Sequence, residues 1–287
     1  MQSVVVTGVS TGIGWGIAKV MTAKGFRVFG SVRKPADAER LRAELGERFS
    51  PLLFDVTDEA SVARGAAEVG AVLAGGRLMG LVNNAGIAVA GPLLEASADD
   101  FRHQLEVNLI APMTVIKAFA PLLGTDRARI GPPGRIVNIS SVGGRFAAPF
   151  VGLYAASKHG LEGLSQSLRR ELMLFGIDVI IVAPGSVATP IWDKAEQIDV
   201  APYEKSPYFE IIKRFRDYYD CARPQGLVLR APGRGRMRSF DCGAAQDALL
   251  TGRRKISELD AADHAAGAHG RSHRREDFRS PPFAIAP

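Results

Sequence analysis

The run Ser3-Val4-Val5-Val6-Thr7-Gly8-Val9-Ser10-Thr11-Gly12-Ile13-Gly14 decides the fold. It starts as a short β-branched strand, passes through three glycines in seven residues and enters an apolar helical pattern that stops at Lys24-Gly25. Glycines let the main chain approach a pyrophosphate, which then binds the free N–H groups of a helix N-terminus. A plain strand-to-helix turn would not need three glycines. The sequence therefore predicts a dinucleotide site formed by Gly8, Ser10, Gly12, Ile13 and Gly14.

Apolar strands alternate with helical patterns along the next 170 or so residues. After the first strand, the pattern predicts strands at 27–32, 52–54, 78–82, 135–140 and 178–182, and helices at about 13–23, 36–45, 58–73, 98–109, 112–123 and 151–175. Strands that are apolar throughout are typical of a parallel sheet covered on both faces. The predicted fold class is α/β, with a doubly wound, Rossmann-type parallel sheet in three α/β/α layers.

The end of the second strand bears on the type of dinucleotide. An acidic side chain there binds the adenosine ribose and repels a 2′-phosphate, whereas an arginine favours the phosphate. The sequence has Arg33 at this point and no carboxylate before Asp37, which favours NADP over NAD, with NAD still possible. The alternative is that Arg33 and Lys34 only open the next helix on a solvated face. Asp55, at the end of the third strand, is predicted to bond the adenine amino group.

The stretch Tyr154-Ala155-Ala156-Ser157-Lys158 begins the longest helical pattern, 13 residues after Ser141. Positions i and i+4 share one helix face about 6 Å apart, so the phenol and the ammonium group point the same way. A fixed cation beside a phenol favours the phenolate and lowers the phenol pKa. Tyr154 is therefore predicted to donate and accept a proton, although the same spacing also occurs by chance on solvated helix faces.

These motifs, in this order and spacing over about residues 3–192, resemble the short-chain dehydrogenase/reductase family. The matching residues are Thr7-Gly8-x-x-x-Gly12-Ile13-Gly14, Asn83-Asn84-Ala85-Gly86, Asn108, Ser141, Tyr154-x-x-x-Lys158 and Pro184-Gly185-x-x-x-Thr189. Residues 139–145 and 167–172 further resemble the branch that contains retinol and hydroxysteroid dehydrogenases. Fold and family do not fix the substrate.

The resemblance implies an oxidoreductase that transfers a hydride between a nicotinamide cofactor and an alcohol or its carbonyl. Tyr154 would exchange a proton with the substrate oxygen, and Ser141 would donate a hydrogen bond to that oxygen. Lys158 would lower the Tyr154 pKa and hold the nicotinamide ribose, and Asn108 would bind a water that links Lys158 to solvent. Asn84 would brace the sheet beside the cofactor.

The remaining implied positions belong to the cofactor. Thr189 would bond the carboxamide of the nicotinamide. The predicted cofactor-binding residues are Gly8, Ser10, Gly12, Ile13, Gly14, Arg33, Asp55, Asn84, Tyr154, Lys158, Pro184 and Thr189. This chemistry requires no metal, and Cys221 and Cys242 have no metal-ligand spacing.

Composition indicates the compartment and the partners. With 46% hydrophobic and 23% charged residues, no apolar run of about 18 residues and no leader pattern, the sequence predicts a cytoplasmic protein without membrane insertion. The aromatic-rich segment 191–220 is predicted to be a lid over a small, lipophilic alcohol or carbonyl substrate. By the resemblance, the helices at 112–123 and 151–175 are expected to pair in a homodimer; the alternative is a monomer that buries the same faces on its own sheet.

The catalytic domain is expected to span residues 1–220, and residues 221–287 depart from the family pattern. From Arg223 onward, 12 Lys or Arg stand against 7 Asp or Glu, a net charge of +5 against +6 for the whole chain. Three interpretations are open: a disordered basic extension, an out-of-frame translation of a GC-rich gene, or an arm for nucleic acid or a membrane surface, which interspersed acids disfavour. The seventh strand of the family is doubtful, with 227–229 a faint candidate.

A function from a different class is also open. The chain could bind nucleotide without turnover, either as a sensor or because an aberrant C-terminus inactivates it. The intact set of Ser141, Tyr154 and Lys158 favours the enzyme, whereas the doubtful seventh strand favours the alternative.

Overall fold

The computed structural model describes residues 1–185 and 203–212. Its strands are β1 (Ser3–Val6), β2 (Arg27–Val32), β3 (Phe49–Leu53), β4 (Gly80–Asn83), β5 (Arg135–Ile139) and β6 (Asp178–Val182). Its α-helices are α1 (Gly12–Ala23), α2 (Pro35–Leu45), α3 (Glu59–Leu73), α4 (Ala98–Leu105), α5 (Ala111–Ala120) and α6 (Gly152–Glu171). The domain boundary at 220, the candidate seventh strand and the tail at 221–287 lie outside the described residues.

The six strands form one parallel sheet in the order β3-β2-β1-β4-β5-β6. The order runs outward from β1 in one direction and then restarts at β4 in the other. Such a reversal leaves a crevice between the carboxyl ends of β1 and β4, where open α/β sheets bind their ligands. The predicted doubly wound Rossmann-type fold is confirmed.

Apolar layers cover both faces of the sheet. Val4 and Val6 of β1 pack with Ile17 and Met21 of α1, whereas Val5, which points to the other face, belongs to the same cluster as Phe119 of α5. Successive strand side chains point to opposite faces, so β1 contributes to both layers. The three-layer arrangement follows from strands that place apolar side chains on both faces of the sheet.

The stretch Ala98–Thr125 differs from the prediction of two helices at 98–109 and 112–123. It is one helical run in which α4 continues into a π-turn (Glu106–Ile110), then α5, then a second π-turn (Pro121–Thr125). Pro112 and Pro121 lack the N–H that would bond the carbonyl four residues back, and each adjoins one π-turn. The helical run thus continues past Pro112, and it ends in the second π-turn, where Gly124 has non-helical backbone angles.

The same run, Ala98–Thr125, is long and apolar enough to cross a membrane when judged by length and composition alone. More than half of its most apolar window is buried inside the protein. The core helices of globular proteins pass the same test.

Candidate active site

Ser141, Tyr154 and Lys158 meet where β5 ends and α6 begins. Ser141 follows β5 and caps a short 3₁₀ turn (Val142–Gly144), in which its Oγ accepts the N–H of Gly143 at 3.0 Å. Tyr154 and Lys158 lie one turn apart on α6, as predicted, and both side chains are buried. A side-chain hydrogen bond joins Ser141 to Tyr154. The structure thus brings the three predicted catalytic residues together.

Burial controls the titration of this pair. It raises the pKa of the Tyr154 phenol, and the hydrogen bond with Ser141 opposes that rise. It also lowers the pKa of Lys158 to about 8, while the charge of Glu162 acts in the opposite direction. The expectation of a lowered Tyr154 pKa is corrected here, because loss of water favours the neutral form of the phenol.

Asn108 lies in the first π-turn, and its side chain joins two elements. Its Oδ1 accepts the N–H of Ile87 at 2.9 Å, and its Nδ2 donates to the carbonyl of Ile87 at 2.9 Å and to Oγ of Ser157 at 3.0 Å. Both amide hydrogens are thus used in holding the loop after β4 against α6. Because Pro112 has no N–H, the main-chain carbonyl of Asn108 lacks its usual helical donor. A water on that carbonyl would fit the predicted relay, which stays a prediction.

The glycine loop is held by polar side chains from neighbouring strands. The N–H of Gly8 donates to Oγ of Ser31 on β2 at 2.9 Å, and Nδ2 of Asn84 donates to the carbonyls of Thr7 and Gly8 at 2.9 and 3.0 Å. A Cβ at Gly14 would lie 2.3 Å from the Gly8 carbonyl oxygen and 2.4 Å from Nδ2 of Asn84. The structure therefore gives Asn84 a bracing role on the loop itself and explains why position 14 is glycine.

The N-terminus of α1 fits the predicted pyrophosphate. Within the described chain, no side chain caps α1 and its first turn carries no acidic residue. By contrast, Asp58 caps α3 and Ser97 caps α4 through hydrogen bonds from backbone N–H groups. The first N–H groups of a helix need acceptors, and they attract anions. An anionic diphosphate at Gly12 and Ile13 would supply the hydrogen-bond acceptors and the negative charge that the side chains at the start of α1 do not provide.

Arg33 and Asp55 follow β2 and β3 and face each other across the adenosine end of the crevice. Their nearest side-chain nitrogen and oxygen are 3.8 Å apart, and both side chains are solvent-accessible. The other oxygen of Asp55 accepts hydrogen bonds from the main-chain N–H and the hydroxyl of Thr57. One oxygen of the Asp55 carboxylate thus binds its own loop. The predicted hydrogen bond between Asp55 and the adenine amino group stays a prediction.

Ser10 and Pro184 complete the described part of the predicted set. The main-chain carbonyl of Ser10 accepts a hydrogen bond from Arg40 of α2 at 2.7 Å. Pro184 is buried after β6, and its carbonyl accepts the N–H of Val142 at 3.0 Å, which fixes the turn that holds Ser141. Thr189 and most of the predicted lid lie outside the described residues.

The sequence interpretation missed a buried polar chain behind the site. Nδ2 of Asn83 on β4 donates to Oδ1 of Asn138 on β5 at 2.8 Å, and Nδ2 of Asn138 donates to Oγ of Ser165 on α6 at 2.8 Å. All three side chains are buried. The signal that could have found this chain was the amide at position 138, because a polar side chain inside an apolar central strand needs a buried partner.

Metal ligation has no candidate in the part of the chain that the structure describes: no three His, Cys, Asp or Glu side chains converge there.

Comparison with known proteins agrees with this geometry. Residues 2–199 match the family described as short chain dehydrogenase. The NADPH-dependent 3-dehydrocapnine reductase of Ornithobacterium rhinotracheale is 38% identical over 231 residues, which are 80% of this chain and 81% of that protein. Human retinol dehydrogenase 5 is 42% identical over 189 residues, 66% of this chain but 57% of that protein's length. This second similarity confirms the narrower resemblance to the retinol and hydroxysteroid dehydrogenase branch.

A solved structure shows the same fold. A metagenomic short-chain oxidoreductase in complex with NADP is 35% identical and superimposes with a TM-score of 0.58 over 65% of this chain and 83% of its own. Fold, site geometry and family match thus agree, and the chain belongs to the short chain dehydrogenase family of nicotinamide-dependent oxidoreductases.

Proposed function

We propose that this chain interconverts a lipophilic alcohol and its carbonyl compound and prefers NADP(H) to NAD(H). The observation that carries the proposal is the convergence of Ser141, Tyr154 and Lys158 beside the crevice between β1 and β4. A buried phenol with a buried amine one turn away suits proton exchange with a substrate oxygen better than any structural role, since burying both groups costs stability.

The roles of the side chains follow from their contacts. When bound, the nicotinamide supplies or accepts the hydride at C4. In reduction, Tyr154 transfers its phenolic proton to the substrate oxygen, and in oxidation it takes that proton back. Ser141, whose Oγ accepts the Gly143 N–H, can turn its hydroxyl hydrogen from Tyr154 to the substrate oxygen on which negative charge develops. Lys158 stabilises the phenolate when it carries its proton.

Lys158 can also hold the nicotinamide ribose. An ammonium group has three donors, and the described residues take one of them, through a 2.8 Å hydrogen bond to the carbonyl of Ile139. A Cβ at Gly86 would lie 3.3 Å from Oδ1 of Asn108 and 3.8 Å from Nζ of Lys158. The missing side chain at Gly86 leaves space beside the ammonium group that ribose hydroxyls would fill.

The preference for NADP(H) rests on Arg33. Its guanidinium is largely exposed after β2, where the adenosine ribose binds in this fold. The neighbouring carboxylate is that of Asp55, which follows β3. A 2′-phosphate would give Arg33 a closer anion than Asp55 at 3.8 Å. The NADPH-dependent relative and the compared oxidoreductase with bound NADP support this choice.

A lipophilic substrate is supported by apolar side chains around the site entrance. Leu93 and Phe146 are 61% and 74% exposed on the loops after β4 and β5, and Leu93 packs on Gly152 at the start of the helix that carries Tyr154. Phe150 makes an edge-to-face contact with Tyr208 at 6.1 Å between ring centroids. Exposed apolar surface of this kind marks ligand-binding grooves.

The described part of the lid segment, residues 203–212, rests on the loop after β4. The hydroxyl of Ser206 donates to Oε1 of Glu95 at 2.5 Å, and a Cβ at Gly91 would lie 2.7 Å from the Tyr203 hydroxyl. Together with the contact between Tyr208 and Phe150, these contacts support a role for this segment in covering an apolar substrate.

The homodimer and the cytoplasmic location are part of the proposal. Phe101 and Ile110 are 38% and 49% exposed on the helical run Ala98–Thr125 and would be covered by a second copy. Light scattering that gives the mass of one chain would refute the dimer. Recovery of the native protein in the membrane pellet would refute the location.

Nucleotide binding without turnover is not favoured, because the chain retains the catalytic set and its compared relatives are a reductase and a dehydrogenase. The deciding experiment titrates the purified protein with NADPH and NADH by nucleotide fluorescence and then assays a panel of carbonyl compounds that ranges from short and polar to bulky and apolar. We expect tighter NADPH binding and faster reduction of the apolar compounds. Preference for short polar carbonyls, or tighter NADH binding, would each overturn its part of the proposal.

A further inference from the structure

A second buried ionisable group lies one helical turn beyond Lys158. Glu162 on α6 is 6% exposed, and its Oε2 is 3.9 Å from Nε of Arg145. Its Oε1 is buried without a hydrogen-bond partner among the described residues. A carboxylate that leaves water with so little compensation is costly for the folded protein unless another charge stabilises it.

The turn after Ser141 lies against the aliphatic part of the Glu162 side chain. A Cβ at Gly144 would lie 3.1 Å from Cγ of Glu162, 3.1 Å from the main-chain oxygen of Lys158 and 2.9 Å from Oγ of Ser140. The Ser140 hydroxyl is buried and also has no partner among the described residues. The Gly144 turn thus lies against both the Glu162 side chain and the Ser140 hydroxyl, and neither side chain supplies a hydrogen bond to the other.

We infer that Glu162 is a positioning residue that keeps Lys158 in its ammonium form, with Arg145 beside the carboxylate. The inference rests on the proposed function, in which Lys158 must be charged to stabilise the Tyr154 phenolate. Residues i and i+4 of a helix share a face, and charges interact more strongly in a buried site than in water. Neither Ser140 nor Glu162 belongs to the set of site residues that the sequence predicts.

Two carboxylates on the elements around α6 form ion pairs with arginines and not with Lys158. Asp99 pairs with Arg102 at 2.6 Å, and Asp178 pairs with Arg135 at 3.5 Å. The charge that opposes the effect of burial on the Lys158 pKa is that of Glu162. The titratable or charged side chains on α4, the first π-turn and β6, which pack against α6, are Asp99, Asp100, Arg102, His103, Glu106 and Asp178.

The test is a titration of Lys158 in the Glu162→Gln variant of the full chain. Lysines labelled with ¹³C at Cε report their protonation by NMR, and a Lys158→Met sample assigns the signal. We expect the titration midpoint of Lys158 to fall by about one pH unit or more in Glu162→Gln. The upper pH limit of kcat/KM for carbonyl reduction should fall by the same amount, with activity near pH 6 within about threefold of wild type.

A merely structural role for Glu162 would lower activity at every pH and leave the midpoint of Lys158 in place, and that result would overturn the inference. Glu171→Gln, at an exposed carboxylate of the same helix, is the matched control and should change neither quantity. If Glu162→Gln does not fold, Arg145→Gln gives an independent test: removing the cation beside Glu162 should raise the Lys158 midpoint, and a fall would refute the inference. Because NMR needs no turnover, an inactive wild type would reject the proposed function and still leave the effect of Glu162 measured.

Discussion

The ammonium nitrogen of Lys158 lies 5.7 Å from the centroid of the Tyr154 ring and donates a 2.8 Å hydrogen bond to the main-chain carbonyl of Ile139. Ile139 is the last residue of β5, and Ser141 follows it by two positions. One hydrogen bond therefore ties the helix that carries Tyr154 to the strand that delivers Ser141. The spacing within the catalytic set is thus fixed by the junction of β5 and α6.

Removing the Tyr154 hydroxyl should abolish turnover and spare the cofactor site. Tyr154→Phe keeps the ring and its packing but deletes the proton donor, so kcat should fall by about 10³-fold. The Kd for NADPH, measured by nucleotide fluorescence, should stay within about twofold. Tyr208→Phe, which deletes a phenol from the lid segment, is the control and should retain most of the activity. Wild-type turnover in Tyr154→Phe would refute the mechanism.

Replacing Lys158 by Met should change stability in a pH-dependent way. Lys158 has a pKa of about 8 in the folded protein against an ordinary value of 10.5, so the unfolded chain binds more protons between these values. The free energy of unfolding of wild type therefore rises with pH across this window, by up to about 3 kcal/mol. Below pH 8 Lys158 is charged in both the folded and the unfolded protein, and burial of that charge lowers the free energy of unfolding by the full amount.

The Lys158→Met variant lacks that cost, although it also loses the hydrogen bond to Ile139. Its advantage in stability over wild type should thus be largest at pH 7 and shrink as the pH rises towards 9.5. Urea denaturation of both proteins at pH 7.0, 8.5 and 9.5 measures the difference. A difference that stays constant over this range would mean that Lys158 titrates like an exposed lysine.

Arg33→Ala should reduce the preference between nucleotides. If Arg33 binds the 2′-phosphate, its loss should weaken NADPH binding about tenfold and leave NADH binding within twofold, because a charge-assisted hydrogen bond contributes about 1.5–3 kcal/mol. Arg48→Ala is the control, since Arg48 is exposed before β3 at the opposite end of the strands. Equal losses for the two nucleotides would show that Arg33 acts on the loop and not on the phosphate.

The buried amide chain should be important for stability. Asn138→Ala leaves the amide of Asn83 and the hydroxyl of Ser165 without their shared partner, so the free energy of unfolding should fall by about 2–3 kcal/mol. Ser165→Ala removes the end of the chain and should cost less, about 1 kcal/mol. Urea midpoints compare the two variants. Equal costs would contradict the central position of Asn138.

The sequence predicted those strands whose bounds depend on residues close by in the chain. The bounds of β2 and β6 agree with the prediction at 27–32 and 178–182, because each strand lies between clear turn residues. β3 begins at Phe49 and not at 52, and it includes Pro51. β3 is an edge strand of the sheet, where a residue without an N–H is tolerated.

Features that depend on distant residues were not predictable in the same way. Asn83 and Asn138 are 55 positions apart, and their hydrogen bond depends on the register between β4 and β5. The π-turn at Asn108 extends over five residues, too few for hydrophobic periodicity to separate it from an α-helix. The prediction of a lowered Tyr154 pKa was wrong, because burial raises it. The sequence spacing of Tyr154 and Lys158 indicates that they are close together but not that they are buried.

Two glycine substitutions should have opposite effects. A methyl group at Gly14 would meet the Gly8 carbonyl oxygen at 2.3 Å and Nδ2 of Asn84 at 2.4 Å, and backbone cannot yield as a flexible side chain would. Gly14→Ala should therefore displace the glycine loop and reduce NADPH affinity by at least about tenfold. Strain in a well-packed site typically costs about 1–3 kcal/mol, so the free energy of unfolding should fall by a similar amount.

Gly163 on α6 is exposed, with nothing within 4 Å of its Cβ position. Gly163→Ala should raise the free energy of unfolding by about 0.5–1 kcal/mol, because alanine loses less conformational entropy in a helix, and it should leave NADPH affinity unchanged. Urea denaturation and nucleotide fluorescence on both variants separate a general effect of alanine from a clash in the loop. If Gly14→Ala bound NADPH as tightly as Gly163→Ala, the close contact among Gly8, Gly14 and Asn84 would not be what shapes the cofactor site.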